Sequence, residues 1–88
     1  MAKRNRLEII NDILMIVRKF DGIRITPLIR KSNLSTAQFK KYFDEILEKG
    51  FVEEKQKGKE KLIFIREKGI SFILKYRNII SFIEEFDL

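Results

Sequence analysis

Lysines recur at every second residue, at positions 55, 57, 59 and 61, around Gly58. A further pair, Lys40 and Lys41, stands just after Gln38. Ammonium groups bind anions as point charges, and phosphate oxygens suit them. Gln38 carries a donor and an acceptor that can read an adenine edge, while Lys40 and Lys41 suit guanine or phosphate. The chain contains no histidine and no cysteine. That removes imidazole acid–base catalysis, thiol chemistry, disulfides and the usual zinc sites. No serine or threonine has an evident base, and no carboxylate cluster or glycine-rich phosphate loop stands out. The expected chemistry is therefore binding rather than catalysis, with no cofactor, no metal and no evident small-molecule ligand.

The charge balance agrees. Nineteen Lys and Arg face thirteen Asp and Glu, for a net charge of +6. Residues 1–66 hold sixteen basic and nine acidic side chains, whereas residues 67–88 hold three and four. Positive charge gathered on one part of a molecule says more about a polyanionic partner than a high isoelectric point alone. Eighty-eight residues make one domain near the small end for a self-sufficient core, so a second copy is expected as a partner. No apolar run approaches the roughly 18 residues of a membrane span, and no signal-peptide core follows Met1-Ala2-Lys3-Arg4. The expectation is a cytoplasmic, nucleoid-associated protein.

The elements that must position these lysines are legible in residues 26–51. Thr26 followed by Pro27 predicts a helix start, with the threonine oxygen as cap and proline at the first helical position. That helix turns Leu28 and Ile29 inward and runs out near Ser32-Asn33. Ser35 and Gln38 predict a capping box for the next helix, flanked by Leu34 and Phe39 as a hydrophobic staple. Gly50 supplies the left-handed stop. Two capped helices joined this tightly must cross, which is the layout of a helix-turn-helix. With Phe39, Phe43, Ile46 and Leu47 set toward the core, Ala37, Lys41, Asp44, Glu45 and Glu48 point away, and Gln38 and Lys40 flank them. The outer face is neutral to basic in its first half and acidic in its second. Only the first half suits a phosphate surface. Gln38 has two available roles, base reader or member of its own capping box.

Upstream, residues 7–20 read as a helix with Ile10, Ile13, Leu14 and Val17 on one face and a second apolar stripe through Ile9, Ile16 and Phe20. Asp21-Gly22 breaks it, and Ile23-Arg24-Ile25 alternates as a very short strand. Downstream, residues 51–55 and 61–65 read as strands around a turn at Gly58, hence a β-hairpin. Strand alternation places its four lysines on one side where strand geometry holds, although the turn at Gly58 should break the register. By itself such a hairpin is more often a solvated edge that blocks strand pairing, but beside a recognition helix it is well placed for the phosphate backbone or minor groove. Residues 67–86 are helical again. The order is helix, short strand, helix, helix, strand, strand, helix. The fold class is α+β, mostly helical: a winged helix-turn-helix with an added C-terminal helix. Residues 1–66 form the DNA-binding domain with a basic arm at Lys3-Arg4-Asn5-Arg6, and residues 67–88 the dimerisation helix, in one compact unit. Candidate DNA contacts are Arg4, Arg6, Ser35, Thr36, Ala37, Gln38, Lys40, Lys41, Lys57, Gly58 and Lys59.

The runs at residues 3–14, Ser32-Asn33-Leu34-Ser35, Lys41-Tyr42-Phe43, Glu48-Lys49-Gly50-Phe51-Val52 and Glu67-Lys68-Gly69 resemble the small archaeal winged-helix DNA-binding proteins. That group includes chromatin-associated members and predicted transcriptional regulators. The resemblance implies a winged helix that dimerises through an antiparallel coiled coil of C-terminal helices. It implies DNA contact through residues 36–41 and the wing at residues 57–59. Arg66 departs from the Ser or Thr that similar chains often place before Glu-Lys-Gly, and the C-terminal helix is short for the group. Independently, Phe72, Tyr76, Ile79, Ile83 and Phe86 follow 4-3-4-3 spacing, a heptad stripe over two repeats, with Ile73, Leu74 and Ile80 beside it. The expected dimer interface is Phe72, Tyr76, Ile79, Ile80, Ile83 and Phe86, and two heptads are few enough that the first helix should share it. The expected function is double-stranded DNA binding as a homodimeric regulator or chromatin-associated protein. The alternative is a winged-helix protein-interaction module in a larger assembly.

Overall fold

The computed structural model describes residues 4–88; Lys3 of the basic arm lies outside them. Six elements follow in order: α1 (Arg6–Arg18), α2 (Ile25–Ser32), α3 (Thr36–Glu48), β1 (Val52–Lys57), β2 (Glu60–Ile65) and α4 (Glu67–Glu85). Asn5 caps α1, its side-chain oxygen accepting from the Glu8 N–H at 2.8 Å. The stripe through Ile10, Ile13, Leu14 and Val17 is buried, and so is Ile9 from the second stripe. Ile16 is half-buried and Phe20 exposed, so the second stripe is only partly used within the chain.

The helix-turn-helix forms where the spacing places it, with one correction. Thr26 does not cap α2: the helix starts two residues earlier than expected, at Ile25, and Arg24 occupies the cap position without a side-chain bond. Pro27 still sits in the first turn, where backbone N–H groups have no intrahelical partner to lose. The same early start shortens the expected strand at residues 23–25 to Ile23 alone. Ile23 bridges Ile63 by reciprocal N–H···O bonds of 3.0 and 2.8 Å. Asn33 ends α2 in the left-handed conformation, with φ 59°. Ser35 then caps α3 in a complete capping box with Gln38. Gly50, at φ 74°, terminates α3: its N–H reaches the Leu47 carbonyl and the Phe51 N–H that of Ile46, a Schellman motif.

β1 and β2 pair antiparallel from Val52↔Ile65 to Lys57↔Glu60, leaving Gly58-Lys59 as a two-residue turn. The strands therefore run further toward the tip than the expected residues 51–55 and 61–65. Gly58 has positive φ and Lys59 does not, as a type II′ hairpin turn requires. The expected break of register at Gly58 shows in the lysines. Lys55 stands opposite Leu62 and Lys57 opposite Glu60, whereas Lys61 stands opposite Gln56. Residues paired across a ladder share a face, so Lys61 lies on the other side of the hairpin from Lys55 and Lys57. A turn of two residues shifts the alternation between the strands, and the every-second-residue spacing does not survive it.

After β2 the chain enters α4 tightly against the core. A Cβ on Gly69 would lie 2.3 Å from the Phe51 carbonyl oxygen, so only glycine permits this approach. Phe72 packs on Phe51 with ring centroids 5.2 Å apart, and Ile73 is buried against the core. Tyr76 and Ile80 farther along are half-buried, and residues 81–88 are exposed; the principal extents of the molecule are 50 × 29 × 21 Å.

Candidate nucleic-acid interface

The first turns of α3 meet solvent along one side. Ser35, Thr36, Ala37, Gln38, Lys40 and Lys41 are all exposed, while Phe39 between them is buried and stacks on Phe43 at 5.1 Å. The buried ring fixes the rotation of the helix, and that rotation presents Ala37 with the two lysines at its flanks. Gln38 takes up its capping role: its Oε1 accepts from the Ser35 N–H at 3.4 Å, and its own N–H donates to Ser35 Oγ at 3.2 Å. These are exposed bonds that a base edge can compete for. Lys41 sits 5.9 Å from the Tyr42 ring centroid. Acidic residues begin only at Asp44.

Glu45, expected to point outward with Asp44 and Glu48, is instead half-buried and accepts from Arg6 Nε and Nη2 with its two oxygens. The hydrogen bond from Arg6 holds the Glu45 carboxyl below the usual carboxylate range, and Glu45 in turn raises the Arg6 guanidinium. Arg4 is also drawn into the chain. Its Nη1 donates to Asp12 Oδ2 at 3.0 Å and its Nη2 to the Ser32 carbonyl at 3.1 Å and the Asn33 carbonyl at 3.5 Å. The expected basic arm at Arg4 and Arg6 therefore folds back: one arginine binds the end of α2 and the other binds α3.

At the hairpin, Lys57, Gly58 and Lys59 form the exposed tip. Lys55 and Lys57 lie 5.5 and 5.2 Å from the Phe64 ring centroid. The aromatic face steadies both ammonium groups on one side of the wing, an attraction that favours cations over a ring. Phe64 itself packs over Gly22, where a Cβ would approach the ring to 2.8 Å. Neither the Phe64 platform nor the Asn5 cap is among the expectations from the sequence. Asn5 followed three residues later by Glu8 is a recognisable cap signal. The Phe64 contacts become visible only through strand register.

The expected dimer residues divide into two groups. Phe72 and Tyr76 are half-buried and stack on each other at 6.1 Å, and Ile80 lines a groove with Asn11 and Met15 of α1. Burial, reinforced by the carboxylates of Glu8 and Asp12, pushes the Tyr76 phenol up. Farther along, Ile79, Ile83 and Phe86 are exposed, at 54%, 37% and 57%. Phe82, off the heptad stripe, is 56% exposed and packs only 4.9 Å from Phe86. Among the described residues no helix is long and apolar enough to cross a membrane, and no cluster of three or more potential ligands could hold a metal ion.

Known proteins share this fold. The chain is similar to Sso10a-2, a DNA-binding protein from Sulfolobus solfataricus, with 25% identity over 94% of this chain and 85% of that one, at a TM-score of 0.78. It is similar to F-93 of SSV1, with 26% identity over 98% and 97% and a TM-score of 0.67. AF1382 from Archaeoglobus fulgidus shares the fold, at 23% identity over 96% and 92% and a TM-score of 0.67. No curated protein matches the chain significantly by sequence. The family model for the winged helix-turn-helix matches residues 3–84, nearly the whole length, and the chain belongs to that family.

Proposed function

We propose that this protein binds double-stranded DNA as a homodimer, with α3 in the major groove and the lysine-tipped hairpin on the adjacent backbone or minor groove. One observation carries the reading. The first turns of α3 combine an exposed small residue, Ala37, with Lys40 and Lys41, and no acid lies in the first turn. Recognition helices approach the groove through this N-terminal part, where phosphates flank the bases. Similarity to Sso10a-2, itself a DNA-binding protein, supports the same assignment. Residues 1–66 act as the reading unit and residues 67–88 as the dimerisation helix, a division favoured by the open apolar end of α4.

The dimer brings two recognition surfaces to one duplex. α4 carries Lys75 and Arg77 early and Glu84, Glu85 and Asp87 late. Two such helices packed antiparallel near Ile80 place unlike charges opposite each other, whereas a parallel pair juxtaposes like charges. Acidic residues at a helix C-terminus oppose its dipole, and a partner's cations offset that cost. The protein then acts on the chromosome as a transcriptional regulator or as a chromatin-associated, nucleoid-bound protein. A regulator discriminates strongly between sites, while a chromatin protein binds chiefly through phosphates.

The test is the double substitution Lys40→Ala, Lys41→Ala, assayed on duplex DNA over a range of salt. Each lysine that binds phosphate should remove about one unit from the salt slope across all sequences, and one that reads a base should relax preference at one position. Unchanged affinity and selectivity would contradict the assignment of α3 as the reading element.

A further inference from the structure

Arg4 sits where a free basic arm would begin, but its guanidinium is committed to three acceptors on two helices. It reaches Asp12 of α1 and the carbonyls of Ser32 and Asn33, the last residue of α2 and its C-cap. The closing carbonyls of a helix have no intrahelical donor, and a cation at that end also meets the negative pole of the dipole. The rest of the junction is fastened too. Ser32 is 2% exposed, and its hydroxyl donates to the Ile29 carbonyl at 2.6 Å. Only Leu34 and Ser35 separate Asn33 from the first residue of α3. The orientation of the Ser32 and Asn33 peptides therefore sets the direction in which α3 leaves the turn.

We propose that Arg4 is a positioning residue for DNA recognition: held by Asp12, it caps α2 and fixes the angle at which α3 presents residues 36–41. It is not itself a contact to DNA. The proposal rests on the DNA-binding reading above, and it makes two demands that a phosphate-binding arm does not. The planar fork of arginine serves a carboxylate and two carbonyls at once, a geometry that a single ammonium cannot reproduce. Asp12 must help binding although it is negatively charged. For an arm on DNA the opposite holds, since losing Asp12 frees the arginine and removes a repulsive charge.

The experiment uses the full chain with Arg4→Lys and Asp12→Asn, measuring duplex affinity over a salt series well below the melting temperature. Both variants should bind about tenfold more weakly, the loss expected when one base-reading contact is misplaced. Their salt slopes should match that of the wild type, and selected DNA should lose more affinity than random DNA. Lysine restoring wild-type affinity, a slope smaller by about one unit, or tighter binding by Asp12→Asn would each overturn the proposal. Weaker binding that equals the unfolded fraction from a thermal melt would overturn it as well, since the residue would then serve stability alone. A second readout needs no DNA: in the free protein, Arg4→Lys should move the backbone amide resonances of residues 34–41. Unmoved resonances there would refute the positioning role, even where failed wild-type binding had already refuted the DNA-binding reading.

Discussion

At the scale of single residues, the molecule separates cations that bind within the chain from cations left for a partner. Arg4, Arg6 and Arg66 have carboxylate partners at Asp12, Glu45 and Glu53. Lys57 has an aromatic neighbour in Phe64, and both it and Lys59 stand exposed at the hairpin tip. Replacing Lys57 and Lys59 with serine should lower affinity for random DNA and shrink the salt slope by about one unit for each phosphate no longer neutralised. Thermal stability should shift by less than about 0.5 kcal/mol, as is usual for exposed positions outside special features. A large destabilisation would show that the wing tip is packed. The roles of Ser35 and Gln38 are readable from the sequence because a capping box is local, with partners three residues apart. Those of Arg4 and Arg6 are not, because their partners lie as far as 29 and 39 residues along the chain. A basic run at an N-terminus looks the same whether it reaches outward or folds back.

Elements show the same division between local and long-range information. The helix-turn-helix is legible from Pro27, Asn33, Ser35 and Gly50, each a local signal acting within about one helical turn. The start of α2 slips because Ile23 is fixed by pairing with Ile63, which leaves Arg24 at the cap position before Thr26 can take it. Lys61 faces away from Lys55 and Lys57 because a turn of two residues decides the parity between strands, the break in register that Gly58 signals. Gly69 gives the sharpest test at this scale. Helix propensity alone favours alanine over glycine by about 0.8–1 kcal/mol. The added methyl would meet the Phe51 carbonyl oxygen at 2.3 Å, and backbone cannot swing aside as a flexible side chain does. Overpacking costs about 1–3 kcal/mol or more, so the clash should win. Gly69→Ala should therefore lower the melting temperature. A rise would mean that α4 is not held against Phe51 as described.

For the whole molecule, the question posed by the sequence is whether one chain can cover its own apolar surface. The heptad stripe is readable, but its division is not: Phe72 and Tyr76 turn partly inward, whereas Ile79, Ile83 and Phe86 stay open, with Phe82 exposed beside them. Which part of a stripe a domain uses depends on where its helix leaves the body, and the close approach of Gly69 to Phe51 sets that. Ile79→Lys combined with Ile83→Lys should give a monomer by sedimentation, with much weaker DNA binding because one half-site loses its tether to the other. Wild-type protein sedimenting as a monomer at micromolar concentration would contradict the dimer. The central claim, DNA binding through the exposed start of α3 and the lysine wing, is tested most directly by wild-type affinity for duplex DNA as a function of salt. The logarithm of the binding constant should fall linearly with the logarithm of salt, by about 0.9 for each phosphate neutralised. With Lys40, Lys41, Lys57 and Lys59 exposed in the chain, the fall should be steep. Duplex binding that is absent at low salt, or indifferent to salt, would contradict it.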